Sequence, residues 1–164
     1  TTEIYTLSLH DALPIFRAER GFIIVGQETD GTVSPIDLGM DWIISKKKKD
    51  FIGKRSLERA SMKQNDRKEL VGLLSDDPNT VIPEGAHAID QKDLELEEKN
   101  ILGHVTSSYF SSNCKRSIAM ALIKNGRARK GNKLVIPLLN GDKIKAKIVN
   151  PVFFDPNGVR KNGI

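Results

Sequence analysis

The sequence predicts an α+β chain. A mixed segment of strand and helix over residues 16–65 is followed, over 66–164, by a small antiparallel β-barrel of about six strands. Three observations carry this. Short apolar runs recur every 8–15 residues between Leu70 and Val149, separated by Gly and Asn turn signals, as in a small barrel or sandwich. Ile144, Ala146 and Ile148 alternate with Lys143, Lys145 and Lys147, the period of a strand with one wet face. Residues 16–65 instead hold one isolated apolar run and one helical pattern.

The elements follow in chain order. Residues 1–15, TTEIYTLSLHDALPI, lack the basic start and small-residue cleavage site of a signal peptide. They resemble translated adaptor sequence and are read as a non-native leader outside the fold. The apolar run Phe22, Ile23, Ile24, Val25 reads as a short buried strand, ended by Gly26. Asp30 and Gly31 signal a turn, and Ser34 with Pro35 opens a new element. Asp50 caps a helix expected to run to about Met62, with Phe51, Leu57 and Ala60 on its apolar side. Six strands then follow at 70–74, 87–89, 101–110, 118–123, 133–139 and 143–149. Asn140 and Gly141 predict a two-residue hairpin between the last two. The acidic stretch 90–99 has no apolar face and is expected to be a solvated loop.

Composition narrows the class. At 164 residues, 38% hydrophobic and 29% charged, the chain suits a soluble globular protein. A chain of this length buries roughly 68–70% of its unfolded surface, enough for a core. No apolar run approaches the roughly 20 residues of a membrane span, so no membrane partner is expected. The single cysteine, Cys114, excludes an intrachain disulfide and suits a reducing, cytoplasmic location. The net charge of +5 hides blocks of alternating sign: −5 over 1–45, +6 over 46–69, −7 over 75–98 and +11 over 99–164. Such blocks suit faces that meet one another or neighbouring subunits. Nucleic-acid binding is the competing reading, disfavoured because few aromatics, such as Phe51, Tyr109 and Phe110, lie near the basic blocks.

Several motifs in order carry a resemblance. R-x-E-x-G at Arg17, Glu19 and Gly21 precedes GFIIVGQETDGTVSP, KKKKDFIGKRSL, LGHVTSSYFS, RSIAMALIKNGRARKG and NPVFFDPNGVRKNG. The chain resembles the aminomethyltransferase (glycine cleavage T-protein) family, and more closely the C-terminal region of heterotetrameric sarcosine oxidase alpha subunits. The similarity covers about residues 16–163. It implies that residues 16–65 belong to the end of a folate-binding domain and that 66–164 form the family's C-terminal barrel. It also implies a piece of a longer protein that binds tetrahydrofolate and assembles with other sarcosine oxidase subunits. FAD, FMN and NAD are expected only elsewhere in such a complex; no G-x-G-x-x-G follows a strand here. The implied reaction passes the sarcosine-derived methylene group to tetrahydrofolate, giving 5,10-methylenetetrahydrofolate. The alternatives are a T-protein-like aminomethyltransferase and a basic β domain for assembly or nucleic-acid binding. A related folate-binding group carries K-G-C-[FY]-x-G-Q-E. The chain lacks that cysteine and has one more residue before Gly26, Gln27 and Glu28.

Candidate residues follow from the same resemblance. In the family the glutamate of R-x-E-x-G anchors the pterin ring, which makes Glu19 the sharpest candidate. One carboxylate can accept both the 2-amino group and the adjacent N3–H. The competing reading is a surface salt bridge from Glu19 to Arg17 or Arg20. Lys48 falls where the family has an arginine contacting folate, with the register inside residues 46–49 open; it would act as a point charge. The family's C-terminal folate-site tyrosine has no match in Phe153, Phe154, Asp155 and Pro156. His104 reads as a structural strand histidine, and Asp30, Asp37 and Asp41 as caps. Cys114 reads as an inert turn residue, too far from His87 and His104 in sequence to suggest zinc. No catalytic residue and no metal ligand is assigned.

Overall fold

In a computed structural model of the chain, which describes residues 9–94, 96 and 100–160, six antiparallel strands close into a barrel. Helix α1 (Leu9–Glu19) and the one-turn helix α2 (Lys54–Leu57) precede it. The strands are β1 (Lys68–Ser75), β2 (His87–Asp90), β3 (Ile101–Ser111), β4 (Arg116–Lys124), β5 (Lys133–Pro137) and β6 (Lys143–Val149). Their spatial order is β1-β4-β3-β2-β5-β6, with β6 returning to β1. Each of the six barrel strands expected from sequence is present within one or two residues, a boundary difference no larger than assignment methods themselves show.

Register fixes which side chains fill the barrel. Val71, Leu73, Ala119, Ala121, Ile123, Leu134, Ile136, Ala146 and Ile148 form the interior. On β6 this is a clean alternation, because Lys143, Lys145 and Lys147 face water. Strand β4 differs: every residue from Ser117 to Ile123 is buried. Its outer residues Ile118, Met120 and Leu122 pack under Ala18 of α1, with Ile23, Leu38 and Phe153 alongside. The uninterrupted apolar run IAMALI is therefore the mark of a strand covered on both faces. Gly103 on β3 lies opposite Ile123, and a Cβ there would sit 1.8 Å from the Leu122 carbonyl oxygen. Only glycine allows so close an approach.

The first 65 residues correct several expectations. Residues 22–25 form no strand: Phe22 is 63% exposed and Val25 87%. Gly21 is the reason. It takes a left-handed φ of +69°, its N–H bonds to the Ala18 carbonyl, and the Phe22 N–H bonds to the Arg17 carbonyl. That is a Schellman cap, which ends α1 and turns the chain outward. The barrel, being closed, also offers no free edge for a further strand. The helix expected over 50–62 is reduced to α2 and a 3₁₀ turn at Ala60–Met62; Gly53, at φ +94°, sets its start at Lys54 rather than at Asp50. Asp50 bonds only the neighbouring Phe51 N–H, and Ile52 is fully exposed. Without an apolar face against a neighbour, so short a helix has little to sustain it. Independently of the division of the chain expected there, helix α1 runs through residues 15 and 16, with Ala12 and Ala18 on its buried side.

Two further corrections are local. The β5–β6 hairpin has a three-residue loop, Leu139, Asn140 and Gly141, closed by the Leu138 N–H to the Asp142 carbonyl. Gly141 takes the left-handed position that such a loop needs. The acidic stretch begins with an ordered 3₁₀ turn at Gln91–Asp93, and Asp90 pairs with Arg129 at 3.0 Å. Residues 95 and 97–99 of that stretch lie outside the described residues.

Candidate functional site

Glu19 ends α1, so its carboxylate is placed by the helix on one side and by its neighbours on the other. It is 2% exposed. The Ser111 hydroxyl donates to Oε1 at 2.5 Å, and the Asn113 side-chain amide donates to Oε2 at 2.9 Å and to Oε1 at 3.2 Å. Ser111 in turn accepts from the Cys114 N–H at 2.9 Å, which fixes the hydroxyl within the β3–β4 turn. The Glu19 carbonyl accepts the Phe153 and Phe154 N–H groups at 2.9 and 3.0 Å. One residue thus ties the helix, the β3–β4 turn and the segment after β6 together.

No arginine neutralises that carboxylate. Arg17 pairs with Glu28 at 2.9 Å and Arg20 with Asp155 at 3.2 Å, so the surface salt bridge weighed for Glu19 does not form. A carboxylate held by neutral donors keeps its charge unpaired, with room on Oε2 for a further N–H group.

Two polar clusters brace the site. Glu28 is fully buried and takes bonds from Arg17, from the Ser107 hydroxyl at 2.5 Å and from the Ile24 N–H at 2.8 Å. Arg17 also reaches Gln27 at 2.9 Å and lies 5.8 Å from the centre of the Tyr109 ring. Asp37 accepts from the Ser34 N–H and hydroxyl at 2.7 and 2.8 Å. It also accepts a two-pronged bond from Arg67, whose Nε lies 2.8 Å from Oδ1 and Nη2 2.5 Å from Oδ2. Burial pushes the Asp37 carboxyl upward, but the bonds from Arg67 and Ser34 outweigh it and hold the carboxyl below its ordinary value. Asp37 is therefore the buried half of an ion pair as well as a cap. Asp30 is a turn residue as expected, bonded to the Thr32 N–H and hydroxyl, both at 2.6 Å.

Lys48 is exposed and lines a cavity of about 510 Å³ with Val33, Pro35, Ile43, Phe51 and Leu57. Asn113, Phe153 and Phe154 line a different one, of about 530 Å³. The two share no residue and Glu19 lines neither, so the structure does not bring Glu19 and Lys48 into one cavity. His104 faces His87 across the sheet. Burial, then the charges of Lys68 and His87, hold it below the ordinary histidine range. It is neutral near pH 7. Cys114 is a half-buried free thiol. Among the described residues no cluster of His, Cys, Asp and Glu could hold a metal, and no helix is long and apolar enough to cross a membrane.

Residues 68–155 match the family model described as the glycine cleavage T-protein C-terminal barrel domain. The chain belongs to that family. The match starts where β1 starts and ends just past β6, so the T-protein barrel is the closed sheet itself. Among curated relatives, the sarcosine oxidase alpha subunit of Corynebacterium sp. strain P-1 is 46% identical over 93% of this chain, and that of Rhizobium meliloti 37% over 92%. An aminomethyltransferase of Thermotoga petrophila is 30% identical over 87%. The chain spans 16%, 15% and 36% of these relatives' own lengths. A solved aminomethyltransferase T of the glycine cleavage system from Bartonella henselae superposes with a TM-score of 0.76 at 24% identity. That superposition covers 90% of this chain and 39% of the other, and it establishes the fold.

The T-protein barrel also exposes what sequence reasoning missed. Ser111 and Asn113 lie 92 and 94 positions from the Glu19 they hold. Thr106, Ser107 and Ser111 belong to the motif LGHVTSSYFS, which carried the resemblance but no assigned role. Arg17, Gln27 and Glu28 were read as motif letters; in the fold they form one network on β3, with Glu28 at its buried end.

Proposed function

We propose that this chain is the folate-binding, one-carbon-transfer region of a sarcosine oxidase alpha subunit. Glu19 carries the reading: a buried carboxylate without a cationic partner among the described residues, at the junction of barrel and helix, matches what adjacent pterin N–H donors need. The 46% identity to a sarcosine oxidase alpha subunit, against 30% to an aminomethyltransferase, supports that branch of the family. Sarcosine would be oxidised at a flavin elsewhere in a cytoplasmic hetero-oligomer. Its methylene group would then pass to tetrahydrofolate, giving 5,10-methylenetetrahydrofolate and glycine. The role of this chain is to orient the acceptor: Glu19 takes the 2-amino and N3–H donors, and Lys48 takes a carboxylate of the glutamate tail. Charge-assisted pairs of this kind fix geometry as well as affinity.

The test is Glu19→Gln in the assembled enzyme. The substitution removes the charge and sets a donor against a donor. Hydrogen bonds to charged groups contribute roughly 1.5–3 kcal/mol each, so tetrahydrofolate affinity should fall about ten- to a hundredfold by calorimetric titration. Flavin reduction by sarcosine should be retained. Unchanged affinity would sink the assignment. A second reading, transfer of a carrier-bound aminomethyl group, is favoured by the similarity to aminomethyltransferases. Activity on that substrate without sarcosine oxidation would select it.

A further inference from the structure

Glu19 is nearly inaccessible, yet the side chain that covers it is not. Asn113 is exposed, on the four-residue turn between Ser111 and Arg116. Its amide straddles both carboxylate oxygens, at 2.9 and 3.2 Å. With the Ser111 hydroxyl on Oε1, three of the roughly four acceptor positions of the carboxylate are filled. A ligand presenting two adjacent N–H donors would find only one position, on Oε2. The same Asn113 lines the 530 Å³ cavity together with Phe153 and Phe154, whose N–H groups bond the Glu19 carbonyl. Ser111 differs from Asn113: it is fully buried and tied back to the Cys114 N–H.

We propose that Asn113 is a displaceable cover on Glu19, and that a flat heterocycle with paired N–H donors binds by replacing the Asn113 amide while Ser111 keeps its hold on Oε1. The proposal rests on Glu19 as the ligand anchor. It adds that the barrel, through its β3–β4 turn, sets how open that anchor is. Asn113 competes with the ligand for the same lone pairs, so binding must first break its two bonds. The energetic sign is unusual for a residue touching a binding site, because removing it should help.

The experiment titrates tetrahydrofolate, and 6-methyltetrahydropterin as a probe without the glutamate tail, into the assembled enzyme. Four forms are compared: wild type, Asn113→Ala, Asn113→Ser and Glu19→Gln. The serine variant keeps a turn-forming side chain too short to bridge both oxygens, and serves if the alanine variant does not fold. Displacement predicts that each Asn113 variant binds both probes about three- to tenfold more tightly. A purely structural Asn113 would leave affinity unchanged or lower it as the turn loosens, and either result overturns the cover. Glu19→Gln separates the two claims. If it weakens binding while the Asn113 variants do not tighten it, the anchor stands and the cover falls. If it leaves binding unchanged, the anchor itself is wrong.

Discussion

Strand β4 and residues 22–25 are both unbroken apolar runs, and they end in opposite surroundings. Ile118, Ala119, Met120, Ala121, Leu122 and Ile123 are all buried, between the barrel interior and a layer formed by α1 and the segment after β6. Phe22 and Val25 lie mostly in water. The difference is topological. β4 has strand partners on both edges, β1 and β3, and a cover on its outer face. Residues 22–25 follow a helix cap and meet a barrel with no edge left to pair. The contrast extends to the two regions that hold these runs. The barrel is held by ladder hydrogen bonds and a contiguous apolar interior. The segment before it is held to the barrel by the small outer apolar cluster and by polar clamps, Arg17 with Glu28 and Ser107, and Asp37 with Arg67.

Substitutions on either side of this divide should behave differently. The largest effect belongs to the interior. Leu73, fully buried, should cost about 3 kcal/mol when replaced by alanine, through lost transfer energy and the cavity left behind. Urea unfolding should show a lower midpoint with an unchanged slope. A loss below about 1 kcal/mol would mean that the barrel interior is not where stability resides.

Asp37→Asn should cost less, about 2 kcal/mol at pH 7. That is under the range for breaking a fully buried pair, because Arg67 keeps 18% of its side chain exposed and also donates to the Ser61 and Thr32 carbonyls. The pH dependence has a definite sign. Asp37 has a folded carboxyl value below its unfolded one, so its contribution is complete above about pH 4 and disappears as pH falls through the lower, folded value. The Asn variant should lack that part of the acid loss. Parallel acid limbs in wild type and variant would contradict the clamp.

The smallest effect belongs to the exposed segment. Ile52→Ser should change stability by no more than about 0.5 kcal/mol, since Ile52 is fully exposed. A larger loss, read from thermal unfolding, would show that residue 52 packs against something in solution.

The same divide decided what was legible in the sequence. The six strands could be read because each alternates or runs apolar between Gly and Asn turns, and the barrel satisfies them all locally. Residues 22–25 give the same local signal as β4, and only the tertiary cover separates the two. The helix over 50–62 loses its first turn at Gly53, whose left-handed φ the hydrophobic pattern does not register. Asn140 and Gly141 marked the right turn but not its length. Glu19 was picked out as a candidate through R-x-E-x-G, whose glycine is a helix cap. Ser111 and Asn113 were not legible, because their bearing on Glu19 depends on the length of β3 and the turn that follows it. Arg17 and Glu28 lie 11 positions apart, and their pairing depends on the reversal that Gly21 imposes.

Native-state hydrogen exchange, resolved by residue, tests the division most directly. Amides of Leu73, Ala121 and Ile123 should open only with global unfolding, showing the full unfolding free energy and the full urea dependence. Amides of Glu28 and Met40, bonded to the Ile24 and Pro35 carbonyls, should exchange through local opening. They should do so at a free energy lower by on the order of 2 kcal/mol or more, with little urea dependence. Equal free energies and equal urea dependence in both sets would contradict the account, because the clamped segment and the barrel would then unfold as one unit.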